Sequence, residues 1–279
     1  MRPISIPLYI QKSWNVDYTS DETFRLIREA YSTLSKGSET PEVSVVIPAY
    51  NEEKNIVQTL HSLCNNVSTK SVEIIVVNNN SKDNTEALVL ATGVRCVKET
   101  KQGITAARNC GLANAKGKYI LNADADSIYP KYWVEEMIKP FDKNENIVSV
   151  YGTFSFIPTN NAGRFIYFFY EYFADLKRKL NKWFKDEAVN VYGFNSGFRR
   201  EQGLQVDGFN HPPGSNEDGY LALKLRDKLN GKLFFVTDTK ALVWTSDRRI
   251  QTDGGLLKAI VARIRKIFPK KHVEIRADL

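Results

Sequence analysis

The sequence predicts an α/β fold with a mostly parallel central sheet, and three observations carry that expectation. Short β-branched runs recur, the first being Val43–Ile47 (VSVVI) and the second Val72–Val77 (VEIIVV). Each is followed by a polar turn and then by a stretch whose apolar residues fall at helical spacing. Apart from Ser44 and Glu73 the runs are apolar instead of alternating, which is the pattern of strands covered by helices on both faces.

The elements follow in order. After Val43–Ile47 and Pro48-Ala49-Tyr50-Asn51, a helix carries Ile56, Val57, Leu60, Leu63 and Cys64. After Val72–Val77 and Asn78-Asn79-Asn80-Ser81, a helix covers Thr85–Ala91. Further strands are expected at Val94–Val97, Tyr119–Leu121 and Ile147–Tyr151, with helices near Ile104–Ala115 and Tyr132–Ile138. Residues 1–40 form an extension with one helix over Asp21–Leu34, for which Thr19 and Glu22 would make the capping box. Beyond Gly163, Ile166, Phe169, Tyr170, Phe173, Leu176, Leu180 and Trp183 lie at helical spacing, read as a core-facing side ahead of a lipid or acceptor surface. A strand is expected at Ala241–Val243, with Trp244–Arg249 as the loop after it. The domain reading is an extension (1–40), a principal domain (41–250, with halves 41–126 and 127–250) and a tail (251–279).

With 279 residues the chain can bury a sizeable core without disulfides. Cys64, Cys96 and Cys110 are odd in number and unpaired in spacing, and are expected to be small core residues. No run reaches transmembrane length and the first residues lack a secretory apolar segment, so a cytoplasmic location is expected. The net charge of +7 is uneven, with six basic and no acidic residues between Leu256 and Lys271. Leu256, Leu257, Ile260, Val261, Ile264, Ile267 and Phe268 share one helical face there. Such a segment either docks on the protein or lies peripherally on an anionic membrane through 255–271.

Four clusters carry candidate chemistry. Pro48-Ala49-Tyr50-Asn51-Glu52 and Asn78-Asn79-Asn80-Ser81-Lys82-Asp83 stand at the carboxyl ends of strands, where open α/β sheets bind ligands. Asn122-Ala123-Asp124-Ala125-Asp126 follows another strand; in an extended chain the two carboxylates face one way and offer hard oxygens to Mg²⁺ or Mn²⁺. Asn195, Arg199 and Asn216-Glu217-Asp218 form the fourth, and a carboxylate there is either a helix cap or a general base. Arg248 or Arg249 could meet a diphosphate, since a guanidinium fits phosphate geometry.

Taken together and in order, VSVVIPAYNEEKNI, VEIIVVNNNSKDNT, GITAARNCGLANAKGKYILNADADS, and NSGFRREQGLQVDGFN with NEDGYLALKL resemble the family 2 glycosyltransferases, inverting enzymes of the GT-A fold. The resemblance runs from Val43 to about Arg249. It implies nucleotide contacts for Pro48, Tyr50 and Glu52, base and ribose contacts for Asn78 and Asn79, and donor-side roles for Gly103 and Arg108. It assigns Asn122, Asp124 and Asp126 to the metal and diphosphate motif, with Asp124 and Asp126 as metal ligands, and makes Asp218 the base, with Glu217 orienting the acceptor or that base.

Two motifs depart from the pattern, at three positions. Many relatives carry Asp where this chain has Asn78 and Asn79, and the metal motif usually opens with Asp where Asn122 stands. The implied substrates are a nucleotide-sugar donor, UDP- or GDP-linked with UDP favoured, and a saccharide or lipid-linked acceptor in glycan or glycolipid biosynthesis; no nucleic acid is expected. A sugar nucleotidyltransferase would need a glycine-rich basic loop after the first strand, where this chain has Pro-Ala-Tyr-Asn-Glu. A non-catalytic sugar-nucleotide or membrane-surface binding module is the other alternative.

Overall fold

The computed structural model describes residues 2–159 and 163–252, with 255 and 258. Two sheets organise it. The larger is built from β1 (Val43–Ala49), β2 (Val72–Asn78), β3 (Arg95–Lys98), β4 (Tyr119–Asn122), β6 (Ile147–Tyr151), β8 (Ser196–Arg199) and β9 (Lys232–Phe235), in the order β3-β2-β1-β4-β8-β6-β9. All neighbours are parallel except β8, which runs antiparallel to both β4 and β6. The smaller sheet joins β5 (Ser127–Ile128), β7 (Phe154–Ile157) and β10 (Val243–Ser246), with β10 in the middle.

Because side chains alternate along a strand, an apolar run buried on both sides feeds two cores. In β1, Val43, Val45, Ile47 and Ala49 join the core formed with α2 (Asp21–Ser35), α3 (Ile56–Cys64) and α6 (Trp133–Lys143). Val46 faces the opposite core, formed with α5 (Ile104–Asn114) and α9 (Glu217–Lys228). The parallel α/β expectation is met: α4 (Thr85–Ala91) and β6 have the predicted ends, and most other boundaries move by a residue or two.

Several expectations are corrected. The extension holds α1 (Leu8–Trp14) as well as α2, and Thr19 does not cap α2. The Thr19 hydroxyl and amide both donate to Asp17, and Ser20 occupies the cap position without a side-chain bond. Cys64 is buried, but Cys96 and Cys110 are only half-buried. The expected strand at Ala241–Val243 begins at Val243, after a 3-10 turn over Thr239–Ala241. The expected loop of Trp244–Arg249 is instead the rest of β10, a buried Asp247, and the start of α10 (Arg248–Thr252).

The largest correction concerns α7 (Arg164–Phe184). Its core-facing side is Tyr167, Tyr170 and Glu171, with Arg164 and Arg2 meeting the Glu171 carboxylate. Of the stripe expected to be core, Ile166, Phe169, Leu176 and Trp183 are exposed. The inward side combines Tyr167 and Tyr170, packed with Phe156 and Ile250, with a buried Glu171 that is satisfied by two arginines, Ser155 and the Phe156 amide. The last helix of the set, α8 (Arg200–Gln205), follows β8 directly. Residues 253–254, 256–257 and 259–279, and with them the tail expectation, lie outside the described residues. No described helix is long and apolar enough to cross a membrane.

Candidate active site

The carboxyl ends of β1, β2 and β4 converge on one cleft, as parallel strand order requires. Tyr50, Asn78, Asn80, Ser81, Lys82, Glu86, Lys98 and Gln102 line a hollow of about 530 Å³ there. Tyr50 is half exposed at its edge, a flat ring available to stack on a base.

The two asparagines expected to read the base differ in kind. Asn78 lines the hollow, its amide nitrogen donating to Glu86 at 2.8 Å and its oxygen accepting from the Ser81 amide. Asn79 is spent on the fold: its side chain donates to the carbonyls of Glu99 and Lys101 and accepts from the Gly103 amide at 2.8 Å. It therefore holds the loop before α5 and is not among the residues that line the hollow. Gly103 starts α5 with φ of +131°, a conformation that side-chain-bearing residues rarely adopt.

Deeper in the cleft, one fully buried arginine ties two carboxylates together. Arg108 Nη2 lies 3.0 Å from Asp124 Oδ1, and its Nε lies 3.2 Å from Asp218 Oδ1. The second contact is an ion pair without hydrogen-bond alignment, so Arg108 Nε and Nη1 and Asp218 Oδ1 are buried with no hydrogen-bond partner. Unspent buried donors and acceptors are costly and mark places where a ligand completes the bonding. Burial would lower the Arg108 pKa, but Asp218 and Asp124 outweigh it and raise it.

Asp218 is the second residue of α9, whose cap is Asn216, accepting from the Gly219 amide. The carboxylate is thus free of capping duty. Burial, reinforced by Glu217 and Asp124, pushes its pKa up to about 6 against the pull of Arg108 and the Gly193 amide. Gly193 is required by closeness: a Cβ there would overlap both the Arg108 guanidinium and Asp218 Oδ2. Glu217 is half-buried beside this group.

Asp124 and Asp126 do not share one direction, because the chain turns at Ala125 and Asp126. Asp124 meets Arg108, while Asp126 Oδ2 lies 3.0 Å from Arg248 Nη2, which also holds Glu52 Oε1 at 2.9 Å. Asn122 is buried, its amide nitrogen donating to Ser196 of β8 and its oxygen unpartnered. No group of three or more metal-ligating side chains occurs among the described residues. Two carboxylates at a cleft floor nonetheless suit a divalent ion that takes its other ligands from phosphate and water. Pro48 sits within β1, half-buried and in register with Val77.

Asn195 and Arg199 are structural. The buried Asn195 amide donates to the carbonyls of Thr153 and Ala241 and accepts from the Trp133 indole. Arg199 donates to the Ile147 and Phe141 carbonyls and lies over the Phe141 ring. The side chain of Arg249 lies outside the described residues. Sequence reasoning missed Tyr129, whose hydroxyl accepts from the Asp124 amide and donates to the Phe194 carbonyl, and also Gly193 and Glu86. Only Glu86 had a legible signal, its place in the first turn of the helix after the Asn cluster.

Comparison with known proteins settles the family. The sequence model of the family described as "Glycosyl transferase family 2" matches residues 44–202, more than half of the chain. The chain belongs to glycosyl transferase family 2. An uncharacterized glycosyltransferase of Rickettsia prowazekii is 36% identical over 109 residues, 38% of this chain and 34% of that protein. The chain thus matches only about a third of that relative's length.

Among solved structures, glucosyl-3-phosphoglycerate synthase from Mycobacterium tuberculosis, in complex with Mn²⁺, UDP and phosphoglyceric acid, superposes with TM-score 0.56 at 22% identity, covering 86% of this chain and 81% of that one. The mannosyltransferase PcManGT from Pyrobaculum calidifontis, in complex with GDP-Man and Mn²⁺, gives 0.57 at 19% identity, covering 92% and 75%. At these identities the likeness carries the fold, and the GT-A expectation for this family 2 chain is met.

Proposed function

We propose that the chain is an inverting glycosyltransferase that moves a sugar from a nucleotide-sugar donor to an acceptor hydroxyl. The observation that carries the reading is Asp218: a buried carboxylate on the cleft floor, relieved of capping, with its pKa raised to about 6. A base of that strength is ionised at neutral pH yet still able to take a proton, the compromise general-base catalysis favours. A non-catalytic binding module would gain nothing from keeping a carboxylate in so costly a place. Nucleotidyl transfer is disfavoured by the Pro48–Glu52 turn, which lacks a glycine-rich basic loop.

The nucleoside would occupy the hollow beside Tyr50 and Asn78, which directs its diphosphate toward Asp124, Asp126 and Arg248. Asp218 takes the proton from the acceptor hydroxyl as its oxygen bonds to the anomeric carbon. The bond from that carbon to the diphosphate oxygen breaks on the opposite side, so configuration inverts. Arg248, now shared between Glu52 and Asp126, can turn to the departing diphosphate, where a guanidinium pairs well with phosphate oxygens. A Mg²⁺ or Mn²⁺ ion held by Asp124 and Asp126 would add charge stabilisation for that leaving group. UDP- or GDP-sugars are the proposed donors, UDP first, and a saccharide or lipid-linked hydroxyl the acceptor.

The test is release of nucleoside diphosphate from a panel of nucleotide sugars with Mn²⁺, after a thermal-shift screen has named the donor. Asp218→Asn should abolish transfer and leave donor affinity nearly intact. Turnover equal to wild type would remove Asp218 from the mechanism.

A further inference from the structure

We propose that the outer face of α7 is a docking surface for an anionic lipid bilayer. The proposal concerns where the protein sits and needs no glycosyl transfer, so its failure would leave the enzymatic reading untouched.

The outward stripe is long and aromatic. Phe165, Phe169, Tyr172 and Leu176 succeed one another at three- or four-residue steps, and Trp183 follows two turns later, on the side opposite Tyr167, Tyr170 and Glu171. All five are exposed, Trp183 by 76% and its neighbour Phe184 by 78%. From Phe165 to Trp183 the stripe runs about 27 Å, far beyond the scattered apolar residues that any soluble surface shows. The helix does not need this stripe for its own packing, since the inner side is already held by Glu171, Arg164 and Arg2 and by Tyr167 against Asp247.

Charge decides the occupant. Leu176–Lys185 (LKRKLNKWFK) holds five basic residues and no acidic one. Arg178 turns inward over Phe235, and Lys179, Lys182 and Lys185 remain exposed, Lys182 also meeting Glu187. Aromatic rings flanked by lysines match the headgroup boundary of an anionic leaflet, where rings enter the interface and ammonium groups meet lipid phosphates. A second copy would oppose these lysines with equal charge, and the whole chain is already at +7. The surface also lies beside the site: Tyr167 of α7 donates to Asp247, next to Arg248.

The experiment is co-sedimentation of the full chain with vesicles of equimolar phosphatidylcholine and phosphatidylglycerol, against pure phosphatidylcholine. The wild type should pellet with the anionic vesicles, and Phe165→Ser/Phe169→Ser/Trp183→Ser should partition at least about tenfold more weakly. These residues are exposed, so an unchanged melting curve separates lost binding from lost folding. Trp183 emission should shift to the blue on binding and be quenched by brominated acyl chains, a signal that Trp183→Phe removes. Lys179→Glu/Lys185→Glu should lose binding to the anionic vesicles. Wild-type protein remaining in the supernatant would overturn the proposal. So would equal binding by the triple serine variant with loss only on deleting 253–279, or a dimer in sedimentation velocity that the serine variant dissolves.

Discussion

Replacing Arg108 by Met should move the acid limb of the pH profile. Arg108 lies 3.2 Å from Asp218 and opposes the burial that has lifted this carboxyl to about 6. An arginine beside an aspartate ordinarily lowers its pKa by about 1–3 units, so without Arg108 the acid limb of kcat/KM should rise from about 6 to between about 7 and 9. At pH 7 the ionised fraction of the base would fall from about nine-tenths to between about one half and one hundredth, a loss of roughly 2- to 90-fold that alkali restores.

The assay is diphosphate release across the pH range on protein shown to be folded. Stripping a buried charge pair of one partner can cost about 3–5 kcal/mol of stability. The sign agrees for stability: a carboxyl whose folded pKa is raised favours folding at low pH and loses that contribution as pH rises through the folded value. Arg108→Lys keeps the charge and should hold the limb nearer its original position. A loss of activity equal at every pH, or a limb that stays at about 6 in the Met variant, would refute the claim that Arg108 tunes the base.

Three further outcomes are expected. Tyr50→Ala should weaken binding of the nucleoside diphosphate by about 5- to 150-fold in calorimetry, since stacking of a base on an aromatic ring is worth about 1–3 kcal/mol. Gly193→Ala should lower kcat by about 100-fold, because its methyl displaces the Arg108 guanidinium and Asp218 from their alignment; near-normal kcat would show that the alignment tolerates movement. Asn195→Ala should reduce the unfolding free energy by about 3 kcal/mol in denaturant titration by orphaning two buried carbonyls and the Trp133 indole, with wild-type donor affinity retained.

The layered sheet was legible because strands buried on both faces need apolar residues at every position, which single-sequence periodicity displays directly. Asp218 was legible as a carboxylate at a helix start, and the cap itself is Asn216. What was not legible depends on tertiary partners. The chain shows an Asp-x-Asp, but the turn at Ala125 and the two distant arginines decide where each carboxylate points. The stripe on α7 looks like a core face in sequence because helical spacing reports which residues are together, not which side is inward. The buried carboxylate Glu171, paired with Arg2 from the far end of the chain, reverses the usual orientation.

β8 bears on any attempt to recombine this fold with another. As the antiparallel insert between β4 and β6, it hydrogen-bonds the strand bearing Asn122 on one side and β6 on the other. The chain after β4 is therefore no cassette that can be cut out and exchanged. A chimera must keep residues 195–199 as the splice and vary the loops that flank them. The family match, ending at 202, stops short of both Asp218 and Arg248. A fragment trimmed to that boundary would carry the hollow beside Tyr50 without Asp218.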